Sequence, residues 1–276
     1  MADRAASSRA ASGDASGRMA EARSASVKAL LDFIRTARED VLAATLDNPN
    51  FEKEHAALLP ILLERKDLPE AILERISKRT RWITDAAVRR KLAAHAHTSR
   101  RVATRLLREF HLPDLVQFSL QPSTPAEARR LADELIVARI GQLPLGQKKT
   151  LARRGSASVA GALLADSSAA VVAAALGNAF LNEAQLLKAL SRRTLDGETV
   201  SAIGRHARWA HHAAVRAAVV THPHAPADLV LGSLPELSRR DLEDLAGLAH
   251  VSASAKQYFR HELARRLRLA KHDDAG

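Results

Sequence analysis

Apolar residues in this chain recur every three to four positions, in runs too short for long helices. Val88 and Leu92 stand four apart, as do Val215 and Val219, which puts each pair on one side of a helix. In the stretch from Arg100, Val102, Leu106 and Phe110 mark one side, while Arg101, Arg105 and Arg108 mark another. That division is the one expected of a half-buried helix. Strict alternation and long β-branched runs are scarce, so strands are not expected. Each apolar run stops near Asn or His, often with Pro close behind. Asn and His tolerate the left-handed conformation that ends helices, and Pro prevents continuation. Ser99 and Pro226 stand where the next helices open, as capping and first-turn residues do. Pro113, Pro122, Pro125 and Pro144 punctuate the middle of the chain, and a longer, more charged helix over 253–269 closes it. The pattern predicts an all-α chain of short helices.

The helices repeat. Slid by 127 positions, Arg81, Trp82, Ala86, Ala87, Val88, Arg89, His95 and His97 fall on Arg208, Trp209, Ala213, Ala214, Val215, Arg216, His222 and His224 without a gap. Further back, Leu68, Leu73 and Ile76 fall on Leu195, Val200 and Ile203. Shorter copies start at Val41 (VLAATLDNPN), Val171 (VVAAALGNAF) and, more weakly, Ile136 (IVARIGQLPL). Together they make Asn48, His95, Leu143, Asn178 and His222 equivalent, at spacings of 47, 48, 35 and 44 residues. That is the period of HEAT and armadillo repeats. One such unit cannot bury its apolar side alone, so neighbours must stack. The expectation is an α-solenoid of about five units of short antiparallel helices over 25–268, ending on the C-terminal helix as a cap.

The recurring A-V-R-x-A-(V/L)-x-x-(N/H)-P resembles the HEAT-like superfamily, and especially the leucine-rich repeat variant, whose units share this Asn/His-Pro turn. The resemblance covers roughly residues 25–268 and implies the solenoid architecture. That variant family can carry an appended iron–sulfur cluster, which a chain without cysteine cannot hold. Some HEAT-like proteins are DNA glycosylases, yet no motif here matches theirs residue by residue, so no catalytic role carries over.

Composition changes this picture little. Hydrophobic residues make up 46% and aromatics 3%, so Ala, Leu and Val fill the core. Residues 1–24 are Ala/Ser-rich with little to bury, and read as a disordered tail; 269–276 read as a flexible end. The tail's Arg and Ser content faintly resembles that of an organelle transit peptide, but Asp3 and Asp14 count against that reading. No apolar run reaches the roughly 18 residues of a membrane span, and the N-terminus lacks the apolar core of a secretion signal. The absence of cysteine excludes disulfides, thiolate metal sites and a Cys nucleophile. It also fits a cytoplasmic location.

Candidate chemistry is thin. His95 and His222 occupy the slot that Asn48 and Asn178 fill elsewhere, which suits a turn or cap role rather than metal ligation. His211 and His212, if helical, point different ways. GQLPLGQKKT, from Gly141 to Thr150, has one residue too many for a Walker A loop and follows a helical segment, where a P-loop needs a strand. His261 opens HEL, but Arg265 replaces the second His of a zinc motif. No nucleophile elbow is present. The expectation is therefore no enzyme, no cofactor and no metal.

Charge is the strongest signal. The formal net charge is +11, and residues 78–108 hold ten basic residues against one acid, Asp85. Such a balance favours acidic partners. The duplicate acts as a control: at the same offset Arg90, Lys91, Arg100, Arg101, Arg105 and Arg108 become Ala217, Ala218, Ala227, Asp228, Gly232 and Pro235. The repeat does not need those charges. The predicted anionic-partner surface comprises Arg79, Arg81, Arg90, Lys91, Arg100, Arg101, Arg105 and Arg108, with Lys148 and Lys149 further on. Trp82 and Trp209 read first as core residues, and alternatively as an aromatic platform. The expected function is a non-enzymatic scaffold that binds an acidic protein or peptide. Nucleic acid, bound through phosphate contacts, is the alternative partner. A HEAT-like enzyme of DNA repair comes third.

Overall fold

The structure, a computed structural model, describes residues 15–249 and 251–273. The described residues form helices and turns, with no strand among them, as the spacing of apolar positions predicts. By its internal contacts the chain divides into two compact units, Met1–Leu135 and Ile136–Gly276.

In the first unit, α1 spans 15–24, α2 Val27–Thr36, α3 Glu39–Leu46, α4 Pro49–Lys53, α5 His55–Leu62, α6 Glu70–Lys78, α7 Ala86–Ala93, α8 Arg100–Arg108 and α9 Leu112–Leu120. Helix α10, Ala126–Arg139, contains the boundary. In the second unit, α11 spans Leu145–Arg154, α12 Ala157–Leu163, α13 Ala169–Leu176, α14 Glu183–Leu190, α15 Gly197–Arg205, α16 Ala213–Thr221, α17 Ala227–Ser233, α18 Arg239–Gly247 and α19 Ala253–Asp273. Two termini depart from expectation. The 15–24 part of the Ala/Ser-rich tail is helical, because Ala22 is fully buried and the Ala22 and Ala25 carbonyls accept from the buried Asn48 amide. Residues 269–273 lie within α19, while 1–14 and 274–276 fall outside the described residues.

Helices alternate in their contacts. In the first unit α3 packs on α6, α2 on α5, and α5 on α7. In the second, α11, α13 and α15 touch in series, and so do α12, α14 and α16. The positions paired by the 127-residue offset form the core of both. Leu68, Leu73, Ile76, Val88 and Leu92 are buried, and so are Leu195, Val200, Ile203, Val215 and Val219.

The Asn/His slot is a bridge between helices. Asn48 donates from Nδ2 to the carbonyls of Ala22 (2.8 Å) and Ala25 (3.0 Å), and its Oδ1 accepts from Asn50 N at 2.7 Å. Asn178 repeats this with Ala152 (2.7 Å), Gly155 (3.0 Å) and Phe180 N (2.6 Å). The histidines do the same with a ring. Nε2 of His95 meets the Arg65 carbonyl at 2.7 Å while Nδ1 accepts from His97 N at 3.2 Å. His222 meets the Arg192 carbonyl at 3.2 Å and accepts from His224 N at 3.1 Å. An acceptor for the amide two residues on and a donor for a distant carbonyl are what Asn and neutral His share. The left-handed turn expected here does not occur: Asn48 and His222 are extended, with φ −71° and −66°, and no described residue has positive φ. The slot selects Asn or His for bridging, not for backbone strain.

Candidate anion-binding surface

The basic residues of 78–108 lie at the end of α6, in the link that leads to a 3-10 turn at Trp82–Thr84 (Arg79 and Arg81), and on α7 and α8. Helix α8 divides as its sequence predicts: Val102, Ala103, Leu106 and Leu107 are buried, and Arg101, Arg105 and Arg108 face outward. The charge itself is met in space. At least eight of the ten cations lie within 4 Å of a carboxylate: Lys78 and Arg101 at Glu74, Arg79 at Asp47 and Glu52, Arg81 at Glu52, Arg89 at Glu109, Arg90 at Asp114, Lys91 at Glu64, and Arg100 at Glu127 and Glu134. None of these acids falls in 78–108. Arg105 instead donates to the Ser77 carbonyl and Oγ, both at 2.8 Å. The positive stretch of sequence is thus a lattice of half-exposed ion pairs. Such pairs are each worth about 0.2–1 kcal/mol and exchange readily for another anion.

Lys148 and Lys149 belong to the second unit. Lys148 is held by Asp166 at 2.8 Å, with the carboxylate side chain only 6% exposed, so this cation is part of the packing. Lys149 is half-buried.

The aromatic platform does not exist. Trp82 is 0% and Trp209 2% exposed, so neither ring offers a face to a base. Each indole is pinned: Trp82 Nε1 donates to Glu52 at 2.9 Å, and Trp209 Nε1 to the Leu176 carbonyl at 3.2 Å. Each also carries a guanidinium at cation–π distance. Arg208 lies 4.2 Å from the Trp209 ring centre, but over Trp82 the cation is Arg79, at 4.6 Å, rather than Arg81. His211 and His212 sit in the turn before α16, not on a helix, and His212 Nδ1 lies 2.8 Å from Glu183. The near-Walker stretch is a short 3-10 turn, Ile140–Gln142, running into α11.

Two clefts gather the cations. One, of about 570 Å³, lies between the turn after α5, helix α7 and the 121–125 turn. Leu63, Ala87, Ala94 and Pro125 line it, with Arg65, Lys66, Arg90 and Lys91 as its cations and Glu64 as its carboxylate. Arg65 is anchored by the Ile34 and Ala37 carbonyls at 2.9 and 3.0 Å, and its hydrogen bond holds the Asp67 carboxyl down at about 2. Arg65 and Lys66 were missed in the sequence because they lie outside the basic stretch 78–108, more than ten positions before it. The second cleft, of about 400 Å³, lies against α6, α7 and α8 and contains Lys78, Arg89 and Arg105. Among the described residues no group of three or more His, Asp and Glu is placed to hold a metal ion. No helix in that set is long and apolar enough to cross a membrane. No family model, curated protein or solved structure matches this chain.

Proposed function

We propose that this chain is a non-enzymatic helical-repeat binding protein of the HEAT-like kind, and that the first unit takes an acidic peptide in the cleft beside α7. The repeat reading is supported by the serial contacts of alternate helices in the second unit and by the equivalent Asn and His bridges. The cleft carries the partner reading. Its apolar residues, Leu63, Ala87, Ala94 and Pro125, lie among four cations and a single carboxylate, Glu64. That arrangement fits a segment mixing acidic and apolar side chains. Aromatic or aliphatic anchors would enter the floor while carboxylates replace Glu64 and Asp114 on the cations. Nucleic acid is the weaker reading, since both tryptophans are buried and leave single-stranded bases no platform there.

The test compares a fluorescein-labelled peptide of alternating Glu and Leu with a labelled DNA duplex, by anisotropy. Replacing Arg90 and Lys91 by Ala, the residues at Ala217 and Ala218 of the duplicate, is expected to weaken the peptide at least about tenfold. Helical circular dichroism should not change. DNA binding tighter than the peptide, with a log–log salt slope of about −0.9 per phosphate contact, would overturn the reading.

A further inference from the structure

The smaller cleft of the first unit has a twin. Six of its lining positions, moved by 127, are Gly204, Ala210, Arg216, Gly232, Ser233 and Glu236, and these line one cleft of about 210 Å³ in the second unit. The shared element is an ion pair at equivalent positions: Arg89–Glu109 at 3.8 Å and Arg216–Glu236 at 3.1 Å. The repeat therefore builds the hollow twice. Its furnishing differs. The second copy has Gly232 where the first has Arg105, Gly204 where it has Ser77, and Val215, Val219 and Leu229 on its wall. The first copy adds the hydroxyls of Thr80 and Thr84 and the ammonium of Lys78.

Hydrogen bonds in the first copy are left open. Arg89 Nη1 stands 3.8 Å from the one carboxylate it pairs with among the described residues, Glu109, whose side chain is 63% exposed, while Arg89 Nε is buried without a partner. Arg105 spends one terminal nitrogen on Ser77 and so holds its remaining donors ready. Ser77 is itself fixed, since its Oγ donates to the Glu74 carbonyl at 2.7 Å. Two guanidiniums, one positioned by a buried serine, with the Thr80 hydroxyl beside them and the Thr84 hydroxyl oxygen as an acceptor, its proton donated to the Arg81 carbonyl at 2.7 Å, match the tetrahedral oxygens of a protonated phosphoryl group. A carboxylate ligand, with two oxygens in one plane, would leave part of this set unused.

We propose that the cleft of Arg89, Arg105, Thr80 and Thr84 is a phosphoryl-binding site for a small phosphate-bearing molecule. The hollow is open enough for a group attached to the phosphorus. The site is independent of the acidic-peptide reading, because it uses other residues and a ligand of another class.

The experiment is calorimetric titration of the full chain, in chloride buffer at mildly acidic pH, with inorganic phosphate, phenyl phosphate and sulfate. One phosphoryl ligand per chain should bind. Tighter binding of phenyl phosphate would assign the site to monoesters, and equal binding to free phosphate; both outcomes support the proposal. Arg105→Gln should weaken binding at least about tenfold, the loss of one charge-assisted hydrogen bond. Arg216→Gln, in the twin cleft, should leave it unchanged. Thr80→Ala, at an exposed position, is the second reporter and should lower affinity without disturbing the fold. The proposal is overturned by no binding at about 10 mM, a concentration at which even weak millimolar sites fill. It is equally overturned if Arg105→Gln and Thr80→Ala both bind like the parent, or if sulfate binds as tightly as either phosphate.

Discussion

Asn178 holds Gly155 from 23 positions along the chain, its Nδ2 donating to the Gly155 carbonyl at 3.0 Å. The same amide takes the Ala152 carbonyl, and Oδ1 accepts from the amides of Phe180 and Leu181. All of this occurs with Asn178 0% exposed. Asn178→Ala strips partners from groups that water does not reach, at about 1–3 kcal/mol for each group left bare. A loss of about 3 kcal/mol or more is expected by urea denaturation. A loss under about 1 kcal/mol would mean that ordered water takes over the bridge.

His222 makes the same bridge with a titratable ring. Burial pushes its pKa below the ordinary 6.5, the hydrogen bond to the Arg192 carbonyl pulls it up, and neighbouring His224 pushes it down. Because the folded value lies below the unfolded one, the unfolded chain takes up the proton first as pH falls. The contribution is whole above 6.5 and is lost between 6.5 and the lowered value. Stability is therefore expected to fall as pH drops from about 7.5 to about 5, and His222→Asn should flatten part of that fall. An unchanged slope in the variant would move the effect to His206, whose pKa is also lowered, by burial and then by Arg208.

Gly161 lets α12 approach α14. A Cβ at Gly161 would stand 2.9 Å from Cβ of Gln185, too close for two carbon atoms, and Gln185 sits on its own helix. Gly161→Val should cost about 1–3 kcal/mol by overpacking, read as a lowered thermal midpoint. An unchanged midpoint would show that the two helices separate freely.

Arg100 bridges Glu127 at 2.6 Å and Glu134 at 2.8 Å, yet all three side chains are more than half exposed. Arg100→Ala, the residue at Ala227 of the duplicate, should change stability by less than about 1 kcal/mol. A double-mutant cycle with Glu134→Ala measures the pair, and a coupling well above that value would show that the network is cooperative.

The helices and their core were legible because apolar spacing and an ungapped duplicate report burial directly: Trp82 and Trp209 match in sequence and are both in the core. The charge balance was not. Arg79 finds Asp47 32 positions back, and Arg101 finds Glu74 27 positions back, so a window confined to 78–108 sees the cations without their partners. The start of α1 was hidden for a related reason. Ala22 and Ala25 carry no signal of their own, and only Asn48, over twenty residues on, reveals that their carbonyls are enclosed. The division into two units left no mark because its boundary lies inside a continuous helix, Ala126–Arg139.

The short reach of these bridges bears on how the chain folds. The longest of the side-chain hydrogen bonds described above, Arg100 to Glu134, spans 34 positions. Loop closure over such distances is entropically modest, and local contact maps go with rapid folding. A growing chain can thus complete each bridge soon after its second partner is synthesised. Damage to one bridge should stay within its neighbourhood, since none of those described spans more than 34 positions.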